Sequence, residues 1–196
     1  MSDAPSPIPA ELAKRIRYVV FDVDGVMTDG GIYLGSTESG ESVELKRFDI
    51  QDGLGVLMLR NAGLRVGIVT GRVSEAVRIR AEELQVDDLH QDRTADKLTA
   101  LTDLLEKNGI GWDETAFLGD DLPDLVVLRR VGLPAVVGNA TSDARACALW
   151  AGTKHGGHGA VREFTEALLT ARGQWADAVD AYVREREQGR EREQGR

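Results

Sequence analysis

Cysteine is nearly absent: Cys147 is the single one in 196 residues, so no intrachain disulfide can form and a reducing cytoplasm is the expected setting. Positive charge is also scarce. Lys and Arg number 24 against 33 Asp and Glu, a formal charge of -9, with a pI near 4.9. Such a field repels polyanions and argues against a nucleic-acid partner or an acidic-membrane surface. An anionic substrate would need locally gathered cations or a metal. No apolar run reaches the roughly 20 residues of a membrane helix, and residues 1–17 lack the apolar stretch of a secretory signal. No Gly-x-Gly-x-x-Gly follows the first strand-like run, which argues against a dinucleotide-binding dehydrogenase.

What is present suits one full-sized domain with an ordinary core, since 42% of the residues are hydrophobic and 196 residues are too few for two comfortable domains. Pro5, Pro7 and Pro9 mark residues 1–14 as a flexible leader. The domain is expected over 15–172, followed by a C-terminal helix over 173–184. Residues 185–190 recur as 191–196, a mixed-charge, low-complexity tail expected to be solvated.

Three short apolar runs, 18–21, 65–69 and 115–118, each end in polar residues: Asp22-Val-Asp-Gly25, Thr70-Gly-Arg72 and Gly119-Asp-Asp121. They read as buried strands opening into loops. Helical patterns fall at about 51–61, 74–84, 94–107, 122–131, 160–171 and 175–183. This alternation predicts an α/β fold with a Rossmann-like parallel sheet and helices on both faces. In such sheets ligands sit beyond the carboxyl ends of the strands, where all three polar motifs fall. Residues 31–48 read as a small β-hairpin insertion, with an ordinary surface flap equally open by pattern. No large cap is present.

Asp22 and Asp24 flank one residue after the first strand, a spacing that a plain turn also produces. Asp120, Asp121 and Asp124 follow another strand. Gathering these carboxylates at one sheet edge costs repulsion unless a hard divalent cation is bound, and magnesium is the natural one. An ionised Asp22 can then attack phosphorus directly, and Asp24 can protonate the leaving oxygen and later deprotonate water. Thr70 and the amide of Gly71 are expected to hold phosphoryl oxygens at the start of the next helix; a helix cap is the other reading of Thr70. By pattern alone Lys97 is an ordinary solvated position.

These residues resemble the four motifs of the haloacid dehalogenase superfamily: Asp22-Val-Asp-Gly-Val-Met-Thr-Asp29, Ile68-Val-Thr-Gly71, Lys97, and Gly119-Asp-Asp-Leu-Pro-Asp124. The resemblance implies Asp22 as nucleophile, Asp24 as acid and base, and Thr70 and Lys97 as phosphate ligands. It further implies that magnesium is held by Asp22, Asp120 and the main-chain carbonyl of Asp24, with Asp121 and Asp124 behind them or acting through water. Over about 16–169 the chain looks like the capless branch of 3-deoxy-D-manno-octulosonate 8-phosphate phosphatases, closest at 22–30, Lys46-Arg-Phe48, Asp52-Gly53, Thr70-Gly-Arg72 and 156–163.

That branch implies a phosphosugar substrate, a role in lipopolysaccharide biosynthesis, and a cytoplasmic homotetramer whose glycine-rich segment, here 156–163, reaches a neighbouring site. Without the resemblance, the same segment reads as a flexible joint before a helix. Arg72, Arg80, His158 and Arg162 are the expected substrate contacts, although the branch usually has Arg where His158 stands and Arg80 suits a surface ion pair equally well. A sister branch acting on nine-carbon 9-phosphates commonly has an acid in place of Arg72, so Arg72 favours the eight-carbon acid. A receiver-type signalling domain also combines acids, Thr and Lys, but its adjacent acid pair follows strand one, whereas here that pair comes late.

Overall fold

The computed structural model describes residues 7–194, with side chains through residue 188. Six parallel strands form one sheet: β1 (Tyr18–Phe21), β4 (Arg65–Thr70), β5 (Asp88–Gln91), β6 (Thr115–Gly119), β7 (Leu133–Val136) and β8 (Trp150–Ala151), in the order β5-β4-β1-β6-β7-β8. Two further strands, β2 (Tyr33–Ser36) and β3 (Ser42–Leu45), pair antiparallel as a separate hairpin between β1 and the first long helix.

All four residues of β1 are buried, as a central parallel strand covered on both faces requires. Val19 and Phe21 enter one core layer with Leu59, Phe164, Leu168 and Trp150. Tyr18 and Val20 enter the opposite layer with Leu101, Phe117 and Leu128. The first layer is covered by α2 (Ile50–Asn61), α3 (Glu75–Leu84) and α7 (Ala160–Ala171), the second by α4 (Lys97–Asn108), α5 (Leu125–Leu128) and α6 (Ser142–Cys147). This is the expected architecture.

Two boundaries differ from the sequence expectation. The leader is ordered from residue 7: α1 (Ala10–Arg15) buries Leu12 and Ala13, and Ile8 joins the same core. Apolar burial there outweighs the proline-rich composition. Residues 1–6 of the expected leader lie outside the described residues. At the other end α8 (Trp175–Gln194) runs past the expected stop at 184 and through most of the repeat. Glu, Arg and Gln are good helix formers, which offsets a single Gly costing about 1 kcal/mol.

The chain turns back at β1. From β1 it moves outward through β4 to β5, then returns through α4 to β6 on the other side. β1 therefore lies between β4 and β6 at the topological switch point, the place where α/β sheets open a crevice.

Candidate active site

Asp22 is the first residue after β1, and its amide donates to Leu118 O on β6 at 3.1 Å. The following loop folds around one carbonyl: the amides of Val26, Met27 and Thr28 all donate to Val23 O. Gly25 sits at φ +88°, and a Cβ there would lie 2.1 Å from Asp120 Oδ2. Glycine is thus required by backbone angle and by space.

Thr70 ends β4 and is buried. Helix α3 begins at Glu75, in keeping with the expected pattern at about 74–84, with Ser74 at its N-cap position. The amide of Gly71 therefore belongs to the loop, and no helix N-terminus lies behind it. Lys97 opens α4 behind the cap Asp96, which accepts from Thr99 N. Ala95, in the left-handed region at φ 55°, turns the chain just before it. Far from being solvated, Lys97 is only 4% exposed. Asp120 and Asp121 follow β6, and Asp124 closes the turn, accepting from the amides of Asp120 at 2.8 Å and Asp121 at 3.3 Å.

Together Asp22, Asp24, Thr70, Gly71, Arg72, Lys97, Asp120, Asp121 and Asp124 line one cleft of about 260 Å³. Lys97 Nζ donates to Asp22 Oδ1 and Asp124 Oδ1, both at 2.6 Å. Carboxylate oxygens of Asp22, Asp120 and Asp124 lie within 4.8 Å of one another. Burial pushes the Asp22 carboxyl above its ordinary range, the Asp124 charge adds to this, and Lys97 opposes it. Burial, then Asp22 and Asp124, push Asp120 up to about 8. The three crowded carboxylates are a hard-oxygen donor set that suits magnesium, and the single Lys97 ammonium offsets only part of their charge. Asp124 is closer to this set than the resemblance implied.

The flank of the cleft at Asp24 contains residues that sequence reasoning missed. Lys46, just past β3, donates its Nζ to Asp24 Oδ1 through a short contact and lies 3.5 Å from Glu44 Oε1. Arg72 donates to Glu44 Oε2 at 2.9 Å, and its Nε is 3.6 Å from Asp24 Oδ2. Arg72 was expected at this edge; for Lys46 the signal in the sequence was the Lys46-Arg-Phe48 likeness, and Glu44 had none.

Three expected substrate contacts do not line this cleft. Arg80 lies over the Phe48 ring at 5.8 Å and donates to Asp49 O and Glu83. The guanidinium of Arg162 stacks on Trp175 at 4.8 Å, while its amide donates to the buried Asp52. His158 bonds Gly156 O at 2.8 Å within its own segment. The start of that segment is seated on the chain's own loop after β1. Gly157 N donates to Val26 O, and a Cβ on Gly156 would lie 1.8 Å from Gly25 O. Glycines 156 and 157 are thus packed against the chain's own loop after β1, and α7 beyond them buries Val161 and Phe164.

Sheet topology, the acids at the switch point and the buried lysine define a haloacid dehalogenase-like hydrolase, and the family model of that description matches residues 91–164. The KdsC 3-deoxy-D-manno-octulosonate 8-phosphate phosphatase of Escherichia coli (strain K12) is 39% identical over 175 residues, covering 88% of this chain and 90% of that protein. A crystal structure of the phosphatase of that name from Moraxella catarrhalis, in complex with magnesium, phosphate and KDO, superposes with a TM-score of 0.82 at 39% identity. It covers 88% of this chain and 97% of that one. The Yersinia pestis phosphatase of the same name gives a TM-score of 0.79 at 37% identity over 85% of this chain and 88% of its own. The chain belongs to the 3-deoxy-D-manno-octulosonate 8-phosphate phosphatase family of haloacid dehalogenase-like hydrolases.

Proposed function

We propose that the protein hydrolyses 3-deoxy-D-manno-octulosonate 8-phosphate to the free sugar acid and inorganic phosphate, with magnesium as cofactor. The observation that carries this reading is the Asp22–Lys97–Asp124 contact at the switch point, beside Asp120, in a chain 39% identical to phosphatases of that activity. When bound, magnesium offsets the repulsion between an anionic nucleophile and the phosphoryl oxygens.

Lys97 holds the Asp22 carboxylate in place, so its attack on phosphorus starts from a fixed orientation. The bond from Asp22 oxygen to phosphorus forms as the ester bond to the sugar oxygen breaks, and Asp24 gives that oxygen its proton. Asp24 then takes a proton from water as the water attacks the aspartyl phosphate, which releases phosphate and restores Asp22. Thr70 and the amide of Gly71 line the same cleft and supply donors to the transferring group. Arg72 at the cleft mouth suits an anionic sugar acid.

The enzyme is read as a cytoplasmic homotetramer. Its hairpin exposes Ile32, Tyr33, Leu34 and Leu45, an apolar surface that further copies would cover, and Cys147 offers no disulfide to an oxidising compartment. Light scattering on the purified protein tests the assembly. A panel of phosphosugars assayed for released phosphate tests the substrate: kcat/KM is expected to be highest for the eight-carbon acid, and a clear preference for the nine-carbon 9-phosphate overturns that assignment.

A further inference from the structure

Four side chains from three separate segments close a ring of alternating charge. Lys46 contacts Asp24 Oδ1 and lies 3.5 Å from Glu44 Oε1; Arg72 meets Glu44 Oε2 at 2.9 Å and approaches Asp24 Oδ2 to 3.6 Å. The Lys46 side chain is 0% exposed, against 22% for Glu44 and 26% for Asp24. Desolvating an ammonium is costly unless its partners hold it in good geometry. Here both partners are carboxylates, one of them Asp24.

We propose that Lys46 is a positioning residue for proton transfer by Asp24, an inference that rests on the acid and base role proposed above for Asp24. An ammonium has only donors to offer, so with Lys46 seated on Oδ1 that oxygen is engaged as an acceptor. The proton passed to the leaving group is therefore carried on Oδ2, the oxygen without a hydrogen bond to Lys46. Arg72 stands beyond hydrogen-bond range of Oδ2 at 3.6 Å and leaves it open to the leaving oxygen. Glu44 completes the device by holding both cations from the hairpin. The residue just past the hairpin strand β3 thus sets the rotamer of a catalytic carboxylate on a loop 22 residues earlier in the chain.

Comparing two leaving groups in single-turnover release tests this. A sugar alkoxide needs the proton, whereas p-nitrophenolate is a stable anion and departs without it. Lys46→Met is expected to slow release of the sugar acid by roughly 10²-fold at saturating substrate, the scale of a misplaced catalytic group, and release of p-nitrophenolate by much less. Lys46→Arg is expected to restore part of the sugar rate. Equal losses on both substrates would mean that Lys46 only anchors the hairpin, and a loss confined to half-saturation would mean that it only holds substrate; either result overturns the inference. Asp24→Asn serves as the reference. If it shows no split between the leaving groups, the reading of Asp24 fails and the inference with it. If Asp24→Asn splits them and Lys46→Met does not, the inference fails alone.

Discussion

Gly25 and Asp120 occupy one shared volume at the ends of β1 and β6: a Cβ on Gly25 would stand 2.1 Å from Asp120 Oδ2. The left-handed φ of +88° at Gly25 adds strain to any substitution there. Gly25→Ala is therefore expected to push Asp120 out of the carboxylate group and to cut kcat/KM by roughly 10²-fold, as displacement of a catalytic group by an ångström does. The Michaelis parameters at varied magnesium check this, with a rise in the magnesium needed for half-activity as the accompanying sign. Near wild-type values would show that Asp120 is not needed where it stands.

Magnesium affinity should depend on pH. Folding raises the proton affinity of Asp120 to about 8, and that of Asp22 also rises, chiefly through burial. Protons and metal compete for the same carboxylates, so as pH falls below about 8 more of the sites are protonated and binding must release those protons. The apparent affinity is expected to weaken progressively from pH 8 to pH 6 and to level off above the Asp120 value. Calorimetric titration at several pH values in buffers of different ionisation enthalpy measures both the affinity and the protons released. Unchanged affinity with no proton release would contradict this electrostatic account.

Asp52 shows why one family-like feature belongs to the fold. Its Oδ1 accepts from Arg162 N at 2.9 Å across the α2–α7 contact, and it is 2% exposed. A side chain on α2 thereby caps the first turn of α7, satisfying an amide that has no partner within the helix. Asp52→Ala is expected to lower stability by about 1–2 kcal/mol, read as a lower denaturant midpoint. Asp52→Asn, which keeps an acceptor, should lose less. A large fall in turnover with stability intact would move Asp52 from the fold to the site.

The parts of the molecule legible in the sequence are those where one physical signal dominates. β1, β4 and β6 are apolar runs ending in polar loops, and the acids, Thr70 and Arg72 follow from where those runs stop. β7 was hidden because Pro134 demotes its run as a strand, and β5 because Asp88-Leu-His-Gln91 is polar and at the sheet edge. β8 has only two residues. Lys97 looked solvated because helical periodicity does not reveal that a first-turn side chain points into a cleft. The Lys46 to Asp24 pairing spans 22 residues and a hairpin, a distance that local pattern cannot bridge. His158 and Arg162 looked like substrate contacts on a glycine-rich segment, yet Gly156 and Gly157 are there to let two backbones meet.

Phosphate release by Asp22→Asn, measured beside the wild type with 3-deoxy-D-manno-octulosonate 8-phosphate and saturating magnesium, tests the central claim most directly. An amide is a poor nucleophile toward phosphorus and gives up the ionised oxygen that Lys97 holds. The wild type is expected to turn over many times and to fall silent on chelation, while Asp22→Asn loses on the order of 10⁴-fold or more in kcat, as nucleophile removal does elsewhere. Magnesium-dependent phosphate release by Asp22→Asn at a rate near that of the wild type would contradict the assignment of Asp22 and the covalent route built on it.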